Sequence, residues 1–223
     1  MISNIISIFN NSGMTTGEKI LYLAMFIVCI LFSLIIHECA HGWVALRCGD
    51  PTAKWMGRLT LNPLKHLDPI GTLCMLFMRI GWAKPVPVNP RNFRHYRRDY
   101  ILVSVAGIAV NTIIFLVSTL LAVVAINNMN ANWVYYVFQF TMMLAQMNLC
   151  LAVFNLLPVP PLDGFRILDQ LVFKGALNLS GQMMNYIQIG FLIVCVSGML
   201  NGLLSTIINT VFNAVFNFYL GLL

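Results

Sequence analysis

The sequence predicts an all-α polytopic membrane protein with about four transmembrane helices, a short re-entrant or β element, and a C-terminal amphipathic helix. Of its 223 residues, 59% are hydrophobic and only 9% are charged, whereas soluble domains carry about 25% charged residues. Apolar stretches without charge occupy 20–36, 101–126 and 133–157, and a further crossing is expected at about 186–200. This number of charged residues is too small to cover a surface that faces water. Most of the protein's surface is therefore expected to face lipid. Residues 1–223 are treated as a single domain.

The first helix is expected to begin near Thr16 or Gly17 and to end at about Leu46. Its apolar stretch, 20–36, measures roughly 26 Å at 1.5 Å per residue, which is close to the thickness of the hydrocarbon layer. The preceding residues contain no basic n-region, and no small-residue cleavage site follows the apolar stretch. We therefore interpret this stretch as a retained transmembrane helix and not as a signal peptide.

The far end of this helix carries His37, Glu38 and His41 in an HExxH pattern. Residues four apart lie one turn apart on the same face of a helix, so both imidazoles can bind one metal ion. Glu38 then projects towards the open coordination position, where a general base is needed. Cys39 lies inside the pattern but faces away from the metal. The alternative is a group of polar side chains that reach the membrane boundary without a metal, but ionisable groups at such depth are usually paired and functional.

A basic segment, 47–98, follows the first helix and contains ten of the thirteen Lys and Arg residues. Within it, 55–61 can form a short strand. The apolar run 69–82 is only 14 residues long, which suits a re-entrant element better than a span. If 69–82 does not cross the membrane, all ten charges lie on one face, which the positive-inside rule makes cytosolic, and the N-terminus is outside. The net charge of +6 is then loop charge, and no nucleic-acid partner is predicted.

The C-terminal segment, 175–223, contains no charged residue. Beyond the expected crossing, polar residues recur at every fourth position: Asn201, Ser205, Asn209, Asn213 and Asn217. This spacing follows one face of a helix with a slow drift. The favoured interpretation is an amphipathic helix at the membrane interface, and the alternative is a polar seam against another helix or subunit. The sequence leaves the oligomeric state open.

A catalytic zinc site needs a third protein ligand, and the chain has seven acidic residues and four histidines to supply the site. Apart from His37, Glu38 and His41, most of these acidic residues and histidines lie in the basic segment or at the opposite end of the first helix. Asp163 follows the third apolar stretch and a proline-rich break. If 69–82 does not cross the membrane, the two later crossings return the chain to the level of His37 and His41. Asp163 then lies at that level and is the candidate third ligand. A turn or helix-capping role before Gly164 is the alternative for Asp163.

Two motifs together resemble those of the site-2 protease family of intramembrane zinc metalloproteases. One is the HExxH pattern at 37–41, and the other is Asn155-Leu156-Leu157-Pro158 followed by Pro161-Leu162-Asp163-Gly164. The resemblance covers about residues 17–170. It implies that Asp163 is the third zinc ligand, that Glu38 is the base, and that Asn155 helps to hold the substrate backbone.

Three further segments bear on this resemblance. The stretch 104–111, SVAGIAVN, resembles the family's Ala-Gly-Pro-x-x-Asn stretch, except that Ile108 stands where the family has proline. The segment 55–88 occupies the place of the family's membrane-associated β-element and re-entrant loop. The linker 127–132 has only six residues and leaves no room for a PDZ domain between the spans. The chain therefore resembles the minimal branch of the family, without a PDZ domain.

The sequence thus predicts a multi-pass zinc endopeptidase of a bacterial plasma membrane, with one Zn2+ per chain, that hydrolyses transmembrane protein substrates near the cytosolic face. A substrate helix must unwind to expose its carbonyls, and an extended edge of 55–88 can pair with the unwound strand. Asn155 and Asn148 can hydrogen-bond to the substrate backbone, although helix–helix bonding is the alternative for Asn148.

Two other functional classes are weighed against this prediction. A catalytically inactive relative that binds membrane proteins should have lost a ligand or the base, yet His37, Glu38, His41 and Asp163 are all present. A metal-binding membrane carrier should show internal repeats or further acidic ligands along a path, and the sequence shows neither. The protease interpretation is therefore preferred.

Overall fold

The computed structural model describes residues 13–68, 84–129, 131–177 and 180–222. Within these ranges the chain forms seven α-helices and no β-strand. The helices are α1 (Thr16–Arg47), α2 (Thr52–Trp55), α3 (Tyr96–Asn127), α4 (Asn132–Asn155), α5 (Asp163–Leu171), α6 (Gly181–Ser197) and α7 (Asn201–Leu222). Short 3-10 turns occur at Pro63–Lys65 and Pro90–Asn92. The all-α prediction is confirmed.

Four helices in the described ranges are long and apolar enough to cross a membrane, namely α1, α3, α4 and α7. The prediction of about four transmembrane helices is therefore confirmed. Helix α6, at the expected crossing 186–200, is apolar and has 17 residues, the same length as the apolar stretch 20–36, so a crossing there stays a prediction. Helix α7 has 22 residues. The polar residues of α7 had suggested a helix lying at the interface, yet its length and mean composition allow a crossing.

Helix α1 begins at Thr16, as expected, and is capped by the residue before it. Thr15 is the N-cap: its hydroxyl accepts a hydrogen bond from the Glu18 N–H at 3.3 Å, and the Thr15 N–H donates to Glu18 Oε2 at 2.8 Å. This reciprocal capping box satisfies two backbone donors that the helix start would leave free. The helix ends at Arg47, and Gly49 follows with a φ of +110°, a left-handed conformation that favours glycine.

The strand predicted at 55–61 is wrong. Trp55 ends the short helix α2, and Gly57 then turns the chain with a φ of +61°. The Arg58 N–H closes this turn by donating to the Ala53 carbonyl at 2.9 Å. A left-handed residue in the middle of the run breaks the extended geometry that a strand requires.

The re-entrant element predicted at 69–82 lies outside the described residues. The chain on either side of the gap comes together, since the Lys84 N–H donates to the His66 carbonyl at 2.8 Å. Both flanking ends therefore lie at one place in the fold, as the re-entrant prediction requires. That prediction stays a prediction.

Helices α1, α3 and α4 pack around one another, and α3 also contacts α5 and α7. The apolar centre consists of Phe115, Ala145, Leu149 and Phe212, which come from α3, α4 and α7. Many large apolar side chains on the outside of α1 and α3 are exposed, such as Val28 at 53% and Ile113 at 58%. Their exposure agrees with a surface that contacts lipid. This packing holds α1 and α3 side by side along the HExxH end of α1.

Candidate metal centre

His37 and His41 lie next to each other on the buried face of α1. Their Nε2 atoms are 3.0 Å apart, and their rings meet edge to face with centroids 4.6 Å apart. Each residue is only 6% exposed. The i, i+4 spacing of one helical turn produces this proximity, as the sequence predicts.

Asp163 reaches the same point from α5. Its Oδ2 lies 3.3 Å from His37 Nε2 and 3.1 Å from His41 Nε2. Asp163 is the first residue of α5, whose N-cap is Leu162, so Asp163 does not take the capping role considered as its alternative. Gly164 makes the approach possible, because a Cβ at this position would collide with the backbone carbonyl of Leu156 at the end of α4.

The protons on the two imidazoles can be assigned from their neighbours on α3. His41 Nδ1 lies 2.7 Å from the Val103 carbonyl, which can only accept, so Nδ1 carries the proton and Nε2 presents a lone pair. His37 Nδ1 lies 3.1 Å from the side-chain amide of Asn111, a fully buried residue. The Asn111 Oδ1 has no partner, and turning the amide by 180° would let this oxygen accept from His37 Nδ1–H. Both Nε2 atoms then face the same space with lone pairs.

This arrangement fits a bound zinc ion. His37, His41 and Asp163 form a buried group whose ligand atoms all lie within 4.8 Å of one another. The Asp163 Oδ2 is buried without a hydrogen-bond partner, because it can only accept and the two Nε2 atoms beside it are acceptors as well. Three ligands of a tetrahedral zinc ion at about 2.1 Å stand about 3.4 Å from one another, close to the 3.0–3.3 Å seen here. A cation at the common point would satisfy all three atoms.

The charge of Asp163 suits a metal ligand. Burial raises the pKa of the Asp163 carboxyl, and a hydrogen bond from a protonated Nε2 of His37 or His41 would lower it below its usual range. With a metal ion in the site both Nε2 atoms are unprotonated, and the positive charge of the ion itself favours the ionised carboxylate, the form that binds metal. Arg166, one helical turn further along α5, places Nη1 3.7 Å from the other oxygen, Oδ1.

Glu38 lies between the two histidines in sequence and is half-buried. Its Oε2 accepts a hydrogen bond from the backbone N–H of Val86 at 2.8 Å. Cys39, by contrast, directs its thiol towards the Thr60 carbonyl at 3.4 Å. The position of Cys39 agrees with the expectation that it faces away from the metal.

The two asparagine candidates for substrate binding lie in different surroundings. Asn148 is fully buried, and its amide donates to Ser33 Oγ at 2.8 Å and to the Leu144 carbonyl at 2.9 Å. The bond to Ser33 joins α4 to α1 and favours the helix–helix alternative, whereas the bond to Leu144 lies within α4. Asn155 is half-buried at the last turn of α4, where its amide donates to the Leu151 carbonyl at 3.0 Å.

Gly107 of α3 lies directly against both imidazoles. A Cβ built on Gly107 would stand 2.5 Å from His37 Cε1 and 2.5 Å from His41 Nε2. Sequence reasoning did not assign a role to Gly107 or Asn111. Both residues belong to the SVAGIAVN stretch, whose resemblance to the family stretch could have indicated them. Their contacts could not be predicted, because these depend on how α3 is rotated against α1.

Replacing Gly107 by alanine is expected to displace the histidines and to lower zinc content and any zinc-dependent activity together. Partners that orient metal ligands typically contribute about 10–100-fold to affinity or activity, and we expect a loss of that size. Zinc per chain in the purified protein measures it. The matched control is Gly190→Ala on α6, where a Cβ would meet nothing within 4 Å. Normal zinc content in Gly107→Ala would contradict the packing described here.

Comparison with known proteins identifies similar sequences. The model of "Peptidase family M50" matches residues 110–197. Over 174 residues the chain is 43% identical to "Putative zinc metalloprotease YwhC" of Bacillus subtilis (strain 168), covering 77% of this chain and 80% of the relative. Over 165 residues it is 33% identical to "Putative zinc metalloprotease Rip2" of Mycolicibacterium smegmatis, covering 69% of this chain but only 61% of that relative. No solved structure is significantly similar to the chain.

Proposed function

Because the chain belongs to peptidase family M50, the site-2 protease family, we propose that it is a zinc-dependent endopeptidase that cleaves membrane-spanning proteins near the cytosolic face of the membrane. The observation that carries the proposal is the convergence of His37, His41 and Asp163 on one buried point, with Glu38 on the same helix. The two histidines come from α1 and the aspartate from α5, so the site exists only in the folded chain.

We assign His37 Nε2, His41 Nε2 and Asp163 Oδ2 as the three zinc ligands. A zinc ion held by these three residues would supply a Lewis acid that lowers the pKa of water to about 7 and polarises a peptide carbonyl. Val103 and Asn111 fix the ring orientations through the Nδ1 atoms. The protein's part is therefore to hold three ligands in place and to leave one side of the site open.

Glu38 is the proposed general base and acid. Its carboxylate takes a proton from the attacking water and returns it to the amine that leaves when the peptide bond breaks. Proton transfer by a positioned side chain commonly contributes about 10²–10⁴-fold to the rate. The Val86 N–H holds one carboxylate oxygen at 2.8 Å, and Oε1 has no hydrogen bond within the described part of the chain.

The substrate must present an unwound backbone, because a helix hides its carbonyls in internal hydrogen bonds. Asn155 is the side chain that we propose to hold such a backbone. It lies at the end of α4, the helix that leads into the Asp163 segment, and its amide bonds locally to the Leu151 carbonyl.

The proposed orientation places the metal site at the cytosolic boundary of a cell membrane. Its support is the charge distribution, since ten of thirteen Lys and Arg residues lie at 47–98, and the positive-inside rule assigns such segments to the cytosol. The hydrogen bond from the Lys84 N–H to the His66 carbonyl joins the two described parts of this basic segment, which supports their placement on the same face.

Removal of the metal tests the proposal. A tagged single-span reporter in membranes that contain the protein is expected to be cleaved. The zinc chelator 1,10-phenanthroline should stop cleavage, and added zinc should restore it. The isomer 1,7-phenanthroline, which cannot chelate, serves as the control and should have no effect. Cleavage that persists at saturating chelator would exclude the zinc-protease assignment, whereas absence of cleavage with zinc bound would favour the inactive binding relative.

A further inference from the structure

The base Glu38 is held by a backbone segment that is remote in sequence. Within the described residues, the hydrogen bond to its carboxylate comes from the Val86 N–H at 2.8 Å. Val86 lies between Pro85 and Pro87, which have no N–H and restrict φ. Residues 85–87 therefore present one backbone donor, the Val86 N–H, and that donor bonds to Glu38. We call residues 84–89 the strap.

The strap lies directly on α1. The Val86 side chain is only 6% exposed, and its Cγ1 stands 2.9 Å from the point where a Cβ on Gly42 would be. Gly42 follows Glu38 by one helical turn, so the absence of a side chain at Gly42 lets the strap approach the helix. This close approach brings the Val86 N–H within reach of the carboxylate.

One end of the strap is fixed by Arg58. Its Nη2 donates to the Lys84 carbonyl at 2.8 Å and to the Pro85 carbonyl at 3.2 Å. Arg58 is only 8% exposed, and its Nε has no partner. Burial of a guanidinium is unfavourable unless its hydrogen bonds are made, and the side-chain bonds that Arg58 makes within the described chain go to the strap.

The other end is fixed by Asp50, which is fully buried just beyond the end of α1. Its Oδ2 accepts from the Asn89 N–H at 2.6 Å, and its Oδ1 accepts from Asn92 Nδ2 at 2.8 Å and from the Thr52 N–H at 3.1 Å. Burial on its own would raise the pKa of Asp50, but the hydrogen bonds from Thr52, Asn89 and Asn92 bring that pKa below its ordinary value. The Asp50 carboxylate is therefore ionised at neutral pH.

We infer that Arg58 and Asp50 are positioning residues for the reaction, and that they act on Glu38 through the strap. With both ends clamped, the Val86 N–H holds Oε2 and leaves Oε1 free to accept the proton of the reacting water. Misplacement of a reacting group by about 1 Å can cost about 10²-fold in rate. The inference rests on the proposed role of Glu38 as the base, and it assigns to two residues outside the metal site an effect on the chemical step.

The test compares Arg58→Met with Arg58→Lys in the full-length protein reconstituted in lipid bilayers. We expect Arg58→Met to lower kcat about 10–100-fold, with KM and zinc per chain within about twofold of wild type. Arg58→Lys keeps a charged donor and should recover much of the loss. The matched control, Arg91→Met, changes an exposed arginine of the same basic segment and should leave kcat unchanged. The visible spectrum of the cobalt-substituted protein should be the same in all four proteins.

A double mutant separates positioning from general destabilisation. If the strap acts through Glu38, Arg58→Met should add nothing to the residual rate of Glu38→Gln, because coupled residues are not additive. Full additivity, a loss of zinc, or a rise in KM with unchanged kcat would overturn the inference. Asp50→Asn keeps the size of the side chain but replaces one of its two acceptor oxygens by a donor, so the side chain can no longer accept from the Asn89 N–H on one side and from Asn92 and Thr52 on the other. This variant should show the same fall in kcat if Arg58→Met does not fold.

The outcome distinguishes the inference from the proposed function. If wild type cleaves no reporter, or if Glu38→Gln cleaves at the wild-type rate, the assignment of Glu38 fails and the strap inference fails with it. If Glu38→Gln is inactive while Arg58→Met and Asp50→Asn keep the wild-type kcat, only the strap inference is overturned.

Discussion

Replacing Glu38 by glutamine is expected to lower the rate of peptide cleavage by about 10²–10⁴-fold while zinc stays bound. The amide has nearly the shape of the carboxylate but cannot take a proton from water. The three proposed metal ligands, His37, His41 and Asp163, are untouched by the change. The measurement is cleavage of a tagged single-span reporter in membranes, together with zinc per chain in the purified variant.

The matched control for this experiment is Glu18→Gln at the other end of α1. Glu18 is part of the capping box with Thr15, and glutamine can fill the same position of that box. Glu18→Gln should therefore cleave at the wild-type rate. Cleavage by Glu38→Gln at the rate of this control would show that Glu38 is not the base.

Replacing Asp163 by alanine is expected to remove zinc from the purified protein and to reduce cleavage below detection. Only two ligands, His37 and His41, would remain, whereas a catalytic zinc normally has three protein ligands. Zinc per chain and the zinc-dependent rise in melting temperature measure the loss, since a metal that binds the folded state stabilises it by mass action.

Asp169→Ala provides the control on the same helix. Asp169 accepts hydrogen bonds from the Leu177 N–H and from Gln170 Nε2, and it lies outside the metal group. Its replacement should cost some stability but leave zinc bound. If Asp163→Ala kept a full complement of zinc, the third ligand would have to come from elsewhere in the chain.

The local part of the site could be predicted from sequence because helix geometry alone determines it. The four-residue spacing of His37 and His41 makes their proximity a property of α1, independent of the rest of the fold. The position of Asp163 required one more step, a count of membrane crossings. Its observed distances of 3.1–3.3 Å to the histidines agree with that count.

The residues around the ligands could not be predicted because they depend on how helices are rotated against one another. Helix α3 is apolar around most of its circumference, so its pattern does not reveal which face meets α1. Gly107 and Asn111 therefore stood out only as part of a family-like stretch. The Val86 N–H is a backbone group, and no side-chain pattern could have indicated its bond to Glu38.

Two predictions of secondary structure failed or shifted for local reasons. The run 55–61 has alternating apolar character, but the left-handed conformation of Gly57 ends any strand there. At the C-terminus, the helix at the expected crossing 186–200 begins at Gly181 and ends at Ser197, and Gly198 follows with a φ of +77°. The polar spacing of 201–217 favoured an interfacial helix, whereas α7 is long and apolar enough to be a candidate span.

We propose that one zinc ion is held by two imidazoles of α1 and one carboxylate of α5. X-ray absorption at the zinc edge of the purified protein in lipid measures these ligands. We predict a first shell of nitrogen and oxygen atoms at about 2.0–2.2 Å, with the outer scattering of two imidazole rings. A sulfur atom at about 2.3 Å, which Cys39 would supply, or the absence of zinc would contradict the claim.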